Sequence, residues 1–235
     1  MKPKMRNLTK AVTVISLCAL LAACGNDKQA RRGADTVKEL ALLAKSRLSG
    51  KKAEPTAQPD PVAMINAVLN EIPNAPLQFV LVEKTGGFAV TSIYGTNGNK
   101  VTWISPDRKS MTLESGVLTA TRGFGGDLMS VEDGGAAALI ASRSSGQAQK
   151  VYRFLNGEDE TARFIVNCTI AQGERDVVTS GEITAATNVM TERCQSNEGF
   201  DFTNTYWIDD NRRMVQSVQW AGAGVGQLVF RRLRY

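Results

Sequence analysis

The sequence predicts an all-β fold, an antiparallel sandwich or curved half-barrel of about ten to twelve strands, preceded by two short amino-terminal helices. Three observations carry this. The two segments with helical hydrophobic spacing both lie before Leu77. From Leu77 onward the hydrophobic period switches from near 3.6 to two. The alternating runs that follow are short and are separated by Gly, Pro, Asn and Asp turns rather than by helix-length segments. No internal repeat of fixed period occurs.

The first element is a leader. Lys2, Lys4, Arg6 and Lys10 precede a nearly unbroken apolar run from Ala11 to Ala23, the layout of an export signal. That run is too short for a stable helix across a hydrocarbon core of about 30 Å. The run ends on Leu21-Ala22-Ala23-Cys24, which resembles a bacterial lipobox. The resemblance implies acylation of the Cys24 thiol (palmitate among the chains), cleavage just before it, and a lipid anchor. Gly25 and Asn26 follow the cysteine, with no aspartate directly after it. By the same resemblance the destination is the outer membrane, facing the periplasm. The domain limits expected are 1–23 for the leader, 24–60 for a lipidated tether with a helix and a Pro-rich linker, and 61–235 for one β-rich domain.

Removing the leader changes the charge argument. The chain has 28 basic and 23 acidic residues, and the leader holds four of the basic ones, leaving 24 against 23. A near-neutral body gives no electrostatic reason to expect nucleic acid. The chain has no histidine, which excludes a Ser-His-Asp triad, a Cys-His pair and His-ligated metal within it. No cofactor and no metal are expected. Of four cysteines, Cys18 and Cys24 fall in or beside the leader, and Cys168 and Cys194 fall in the exported body. A disulfide between the latter two is the plain reading in an oxidising compartment, worth about 3.5 kcal/mol in chain-entropy terms; free thiols or a metal pair are the alternatives.

After an aperiodic stretch to Ala34, Thr36 and Glu39 have capping-box spacing, and Val37, Leu40, Ala41, Ala44 and Leu48 make one helical stripe ending at Gly50. KKAEPTAQPD is a polar, proline-rich linker. Asp60 then caps a second helix with Pro61 in its first position, and Val62, Ile65, Val68, Leu69 and Ile72 mark its apolar face. The candidate strands are LQFVLVE, FAVTSIYG, KVTWIS, SMTLES, VLTATRG, AALIAS, KVYRFL, TARFIVNCTI, DVVTSGEIT, FDFTNTYWID, RMVQSVQWAG and GQLVFRRLRY. Gly134-Gly135, Asn156-Gly157, Gly173 and Asp209-Asp210-Asn211 are among the turns between them. In TARFIVNCTI, Cys168 shares a face with Phe164, Val166 and Ile170, toward a core. In FDFTNTYWID, Phe200, Phe202, Tyr206 and Ile208 share the inner face, and Trp207 lies opposite with Thr203 and Thr205.

Few stretches invite chemistry. TRGFGGD, Thr121 to Asp127, lacks the Gly-Lys-Ser/Thr ending of a phosphate loop and reads as a turn or bulge. Glu198, Asp201, Asp209 and Asp210 could supply the two acids of a glycosidase, but IDDNRR reads first as a polar hairpin turn. Arg231, Arg232 and Arg234 could meet an anionic glycan or phosphate, or could simply charge an edge strand.

Two long stretches, VTWISPDRKSMTLESGVLTATRGFGGDL and FTNTYWIDDNRRMVQSVQWAGAGVGQLVFRRLR, resemble the YjbF/GfcB-type lipoproteins of Gram-negative bacteria. The resemblance covers roughly Ala75 to Tyr235. It rests on Trp103-Ile104-Ser105-Pro106-Asp107, on the Gly-x-Leu-x-x-Thr-x-Gly pattern of Gly116 to Gly123, and on the Ser-x-Gln-Trp-x-Gly pattern of Ser217 to Gly222. It implies a β-rich, lipid-anchored protein of group-four capsule and exopolysaccharide production, and it brings no catalytic residues. The expected function is a non-enzymatic lipoprotein assisting polysaccharide assembly or export, with the membrane and secretion proteins or glycan as partners. Trp207, Gln219, Trp220, Arg231, Arg232 and Arg234 are the expected contacts. A periplasmic lipid or lipoprotein carrier with an apolar cavity, and a carboxylate-based glycan hydrolase, are the alternatives.

Overall fold

The structure, a computed structural model, describes residues 60–155, 161–197 and 199–235. The leader, Cys24, the helix expected after Thr36, the Pro-rich linker, the turn expected at Asn156-Gly157 and Glu198 lie outside the described residues. Among the described residues no helix is long and apolar enough to cross a membrane.

Helix α1, Pro61–Glu71, starts where the sequence places it: the Asp60 carboxylate accepts from the Val62 amide at 3.0 Å, and Pro61 occupies the first turn. Met64, Ile65, Val68 and Leu69 pack on a cluster of Leu77, Phe79, Val90 and Leu233. Val62 and Ile72, assigned to the buried face, are instead 63% and 40% exposed, because they stand at the helix ends.

Twelve strands follow in one sheet: β1 Leu77–Val82, β2 Gly87–Asn97, β3 Lys100–Ile104, β4 Ser110–Glu114, β5 Val117–Arg122, β6 Leu128–Glu132, β7 Gly146–Leu155, β8 Thr161–Ser180, β9 Ile183–Ser196, β10 Asp201–Asp209, β11 Met214–Trp220 and β12 Gln227–Arg234. Their order is β5-β4-β3-β2-β1-β12-β11-β10-β9-β8-β7-β6, every pair antiparallel. This is an up-and-down meander whose first and last strands pair, so the sheet curls into a nearly closed barrel.

The remaining gap lies between β5 and β6, and side chains sew it. Arg122 donates to the Leu128 carbonyl at 3.0 Å and the Met129 carbonyl at 3.4 Å. Thr121 donates to Asp127 and accepts from the Leu128 amide at 3.0 Å. Asp127 also accepts the amides of Gly123 and Phe124. TRGFGGD is therefore a carboxylate-centred turn that closes the ring, as the structural reading of its glycines expects.

The interior is filled. Inward residues of every strand but β2 join one cluster that includes Val80, Trp103, Met111, Leu128, Tyr152, Ile170, Met190, Tyr206 and Phe230. Helix α2, Ala136–Ser142, lends Ala136, Ala137 and Ile140 to it. This segment corrects the expected strand AALIAS: Asp133 accepts from the Gly135 and Ala137 amides, and Arg143 ends the helix in the left-handed region.

Two further corrections concern β8 and β9. The chain does not turn at Gly173; β8 runs straight through it with an irregularity between Gln172 and Arg175. The turn falls at Gly181, inside the expected strand DVVTSGEIT, and β9 lies beyond it. This long hairpin outruns its neighbours and bends onto β12. The Glu182 amide donates to the Leu233 carbonyl at 2.9 Å, and Arg231 donates to the Thr179 carbonyl at 3.0 Å. At Gly181, with φ +57°, a Cβ would stand 2.7 Å from that Leu233 oxygen, so only glycine lets the tip sit so close.

Candidate functional site

Antiparallel alternation sends successive turns to opposite mouths of the ring. One mouth carries the β2–β3, β4–β5, β8–β9 and β10–β11 turns, helix α2 and Tyr235. The other carries the β3–β4, β5–β6, β9–β10 and β11–β12 turns.

At the first mouth lies a pocket of about 400 Å³ whose lining includes Val101, Trp103, Arg212, Arg213, Arg232 and Tyr235, and no acidic residue. Arg232 stacks its guanidinium 4.4 Å from the Trp103 ring centre and 6.0 Å from that of Tyr235. Arg213 stacks 3.8 Å from the other partner, the Tyr235 ring. The arginines differ in charge balance. Asp209, 3% exposed, accepts from the Arg213 amide, Nε and Nη2, each at 2.8 Å. Arg212 and Arg232 have no acidic partner among the described residues. Burial pulls the Arg232 guanidinium down to about 10, with Tyr235 pulling the other way. Arg232 Nε and Trp103 Nε1 are buried without a protein hydrogen-bond partner. So is Nε2 of Gln78, which faces Arg232 across the β1–β12 pair. Such donors cost about 1–3 kcal/mol each until an acceptor meets them.

At the second mouth an apolar pocket of about 440 Å³ is lined by Phe154, Leu155, Phe164, Phe200 and Trp220, with Gly126 and Gly224. Trp220 stacks on Phe202 at 4.6 Å and packs edge-on against Tyr152 and Phe154.

Between the mouths a polar cluster is enclosed. Glu192, fully buried, accepts from Lys150 Nζ at 3.0 and 3.2 Å, from Asn204 Nδ2 at 2.7 Å and from the Tyr206 hydroxyl at 2.8 Å. Asn204 in turn accepts the Trp220 amide at 2.7 Å. Burial alone would lower the Lys150 ammonium, but Tyr152 and Glu192 outweigh it and hold it above its ordinary value. Burial, reinforced by the Glu192 carboxylate, pushes the Tyr206 hydroxyl well up. Cys168 and Cys194 are direct cross-strand partners on β8 and β9, joined as a disulfide. With both sulfurs bonded to each other, the cluster they form with Glu192 has no thiolate to offer a metal.

The expected contact residues scatter. Trp207 Nε1 donates to Asp176 at 3.0 Å, and its ring packs beside Val178, Ile183 and Val215 under the hairpin. Gln219 is 1% exposed and its amide is spent inside: Oε1 accepts the Leu118 amide at 2.7 Å, and Nε2 donates to the Gly116 carbonyl and the Ser217 hydroxyl at 2.8 Å each. An outward contact is therefore corrected to a cross-ring brace joining two of the motifs that carried the family resemblance. Trp220 lines the apolar mouth and Arg232 the cationic one. Arg231 holds the hairpin. Arg234 donates to the Leu69 and Ile72 carbonyls, at 3.0 and 2.6 Å, and pairs with Glu182, so it docks α1 and the hairpin tip. Nor is β12 an edge strand: it pairs with β1 and β11. Sequence reasoning missed Trp103, Arg212, Arg213 and Tyr235 as a group. Arg212 and Arg213 lie in the β10–β11 turn, Tyr235 just past β12 and Trp103 within β3, so no local sequence signal joins them.

The candidate acids among the described residues do not assemble. Asp201 and Asp209 stand at opposite ends of β10, about 26 Å apart at about 3.3 Å per residue, against the roughly 5–9.5 Å of paired glycosidase acids. Asp209 is held by Arg213, and Asp210 by Arg143 and Arg175.

A filled up-and-down ring of strands with pockets at its mouths defines the class, a barrel-like protein. Within that class the chain belongs to the YjbF family, group 4 capsule polysaccharide lipoprotein gfcB, whose model matches residues 39–233. Membership makes it an envelope lipoprotein in the context of capsule and exopolysaccharide. Among solved structures the chain is similar to the hypothetical lipoprotein YmcC of Escherichia coli K12, at a TM-score of 0.62 and 16% identity, covering 76% of this chain and 98% of that one. That likeness shows the fold. A Bacteroides fragilis protein with a YmcC-like fold reaches a TM-score of 0.31 at 9% identity, over 69% of this chain and 95% of that one; it carries no argument. No curated protein matches the chain.

Proposed function

We propose that the protein is anchored through acyl chains on Cys24 to the outer membrane, faces the periplasm, and takes part without catalysis in assembly or export of a capsule or exopolysaccharide. The observation that carries the non-catalytic reading is the disposition of polar groups. Cations and aromatic rings line a mouth open to a partner, while Asp209 and Asp210 are tied in ion pairs. Family membership supports the polysaccharide context, and the Leu21-Ala22-Ala23-Cys24 pattern supports the anchor. The lipid-carrier alternative asked for an apolar cavity rather than a filled interior; side chains fill the centre of the ring, and the apolar pocket of about 440 Å³ lies at the second mouth.

Deleting the gene is expected to lower surface glycan while leaving precursor synthesis intact; unchanged glycan overturns the reading. Mass spectrometry of the purified protein is expected to find the chain starting at an acylated Cys24. A chain retaining Met1 without acyl groups overturns the anchor.

A further inference from the structure

Resting on that reading, we propose that the mouth pocket formed by Trp103, Arg212, Arg232 and Tyr235 binds an acidic sugar, a saccharide unit carrying a carboxylate. The volume, about 400 Å³, suits one or two pyranose rings rather than a protein segment. Tyr235, 39% exposed at the rim, offers the flat apolar surface that a sugar ring's C–H groups need, while the Trp103 ring, 1% exposed, backs Arg232 from beneath.

The polar lining selects charge. Arg212 and Arg232 line the pocket without an ion pair among the described residues, whereas Arg213 beside them is already held by Asp209. Of the residues lining this pocket, the two with a buried polar atom lacking a protein partner, Trp103 through Nε1 and Arg232 through Nε, both offer a donor. Trp103 is 1% exposed, so its N–H finds bulk water poorly. A ligand that answers this set must supply acceptors and negative charge together, and a uronate supplies both, with hydroxyls and a carboxylate that can face an arginine fork. A neutral sugar would satisfy the donors and leave the cations unpaired. A bare phosphate would pair the cations and leave the exposed Tyr235 ring uncovered.

The test uses the purified full chain and three probes: a glucuronate-containing tetrasaccharide cut from hyaluronan, maltotetraose, and inorganic phosphate. Calorimetry is expected to show the acidic tetrasaccharide binding at least about tenfold more tightly than either other probe, weakening as salt rises. The Trp103 indole N–H resonance, assigned with Trp103→Phe, is expected to move downfield on binding. Arg212→Asn, at an exposed turn position with φ +62° that asparagine tolerates, is expected to cut affinity about five- to tenfold without changing the melting temperature. It serves beside Arg232→Gln, whose partly buried site makes folding part of the outcome. No binding of the tetrasaccharide, equal binding of maltotetraose, equal binding of phosphate, or an unmoved Trp103 resonance each overturns the proposal. If deletion still lowers surface glycan while the tetrasaccharide fails to bind, the site assignment falls and the export role stands.

Discussion

Replacing Glu192 by glutamine tests whether the enclosed polar cluster is a brace or an ornament. The substitution keeps shape and one acceptor oxygen, so Asn204 and Tyr206 retain a partner, but it deletes the charge facing Lys150. Lys150 is 1% exposed and the nearest carboxylate oxygens are 3.0 and 3.2 Å away. Breaking such a buried pair costs about 3–5 kcal/mol, since the ammonium stays out of water without its counter-charge. For a domain whose whole stability is about 5–15 kcal/mol, that is a large share. Urea unfolding followed by tryptophan fluorescence, with the disulfide intact, is expected to show Glu192→Gln losing about 3 kcal/mol, a midpoint drop of about 1–1.5 M for a slope of about 2–3 kcal/mol/M. The double variant Lys150→Met with Glu192→Gln removes both charges and is expected to recover more than half of the loss. A single variant within about 1 kcal/mol of the parent, or a double variant no better than the single, refutes the reasoning.

Gln219→Leu strips partners from the buried Leu118 amide and Gly116 carbonyl, and is expected to cost about 2–4 kcal/mol in the same assay; a loss under about 0.5 kcal/mol removes the cross-ring brace. The Tyr152 and Tyr206 hydroxyls are raised above their ordinary 10.0 in the folded state. Their stabilising contribution is therefore complete below pH 10 and lost as pH climbs past it, by up to about 1.4 kcal/mol per pH unit for each. Lys150 and Tyr235 are raised as well and add to the same slope, so Tyr206→Phe should lessen it by up to about 1.4 kcal/mol per pH unit, and an unaltered slope rules out the assignment. Gly181→Ala places a Cβ against the Leu233 carbonyl at a positive φ, and is expected to cost about 1–2 kcal/mol. Hydrogen exchange should rise mainly in residues 176–184, and a uniform rise contradicts local undocking.

Most strands were readable because alternation over five or more residues has no competing explanation: β8 shows Val166, Cys168 and Ile170 buried on one side as the pattern requires. Helix α2 was not, since Ala137 to Ser142 is too short for a period of two or 3.6 to declare itself, and the deciding cap is Asp133, outside the apolar run. Gly173 looked like a turn because its neighbours are polar, yet pairing with β9 carries the strand past it. β6 and β9 escaped notice for the converse reason, small and polar residues diluting their alternation. Among site residues, the inward face of Tyr206 was legible from its own strand. Gln219 was not: an amide on a strand reads as surface, and only the opposing Gly116 and Leu118, a hundred residues away, make it interior. The stacking of Arg232 on Trp103 depends likewise on β12 lying three strands from β3, with β2 and β1 between, which no local window can show.

The pairing of β1 with β12 sets a kinetic bottleneck. Nearly every other ladder in the sheet joins strands adjacent along the chain, whereas Leu77 lies opposite Arg234, more than 150 residues away. Hairpins can zip from local encounters, but this last seam must wait for the rest of the polypeptide to be shortened into sheet, as high contact order demands. Until it forms, two bare strand edges stay available to other molecules. Refolding yield should therefore fall with concentration, and a peptide matching Gln227–Arg234 should compete for the waiting edge of β1.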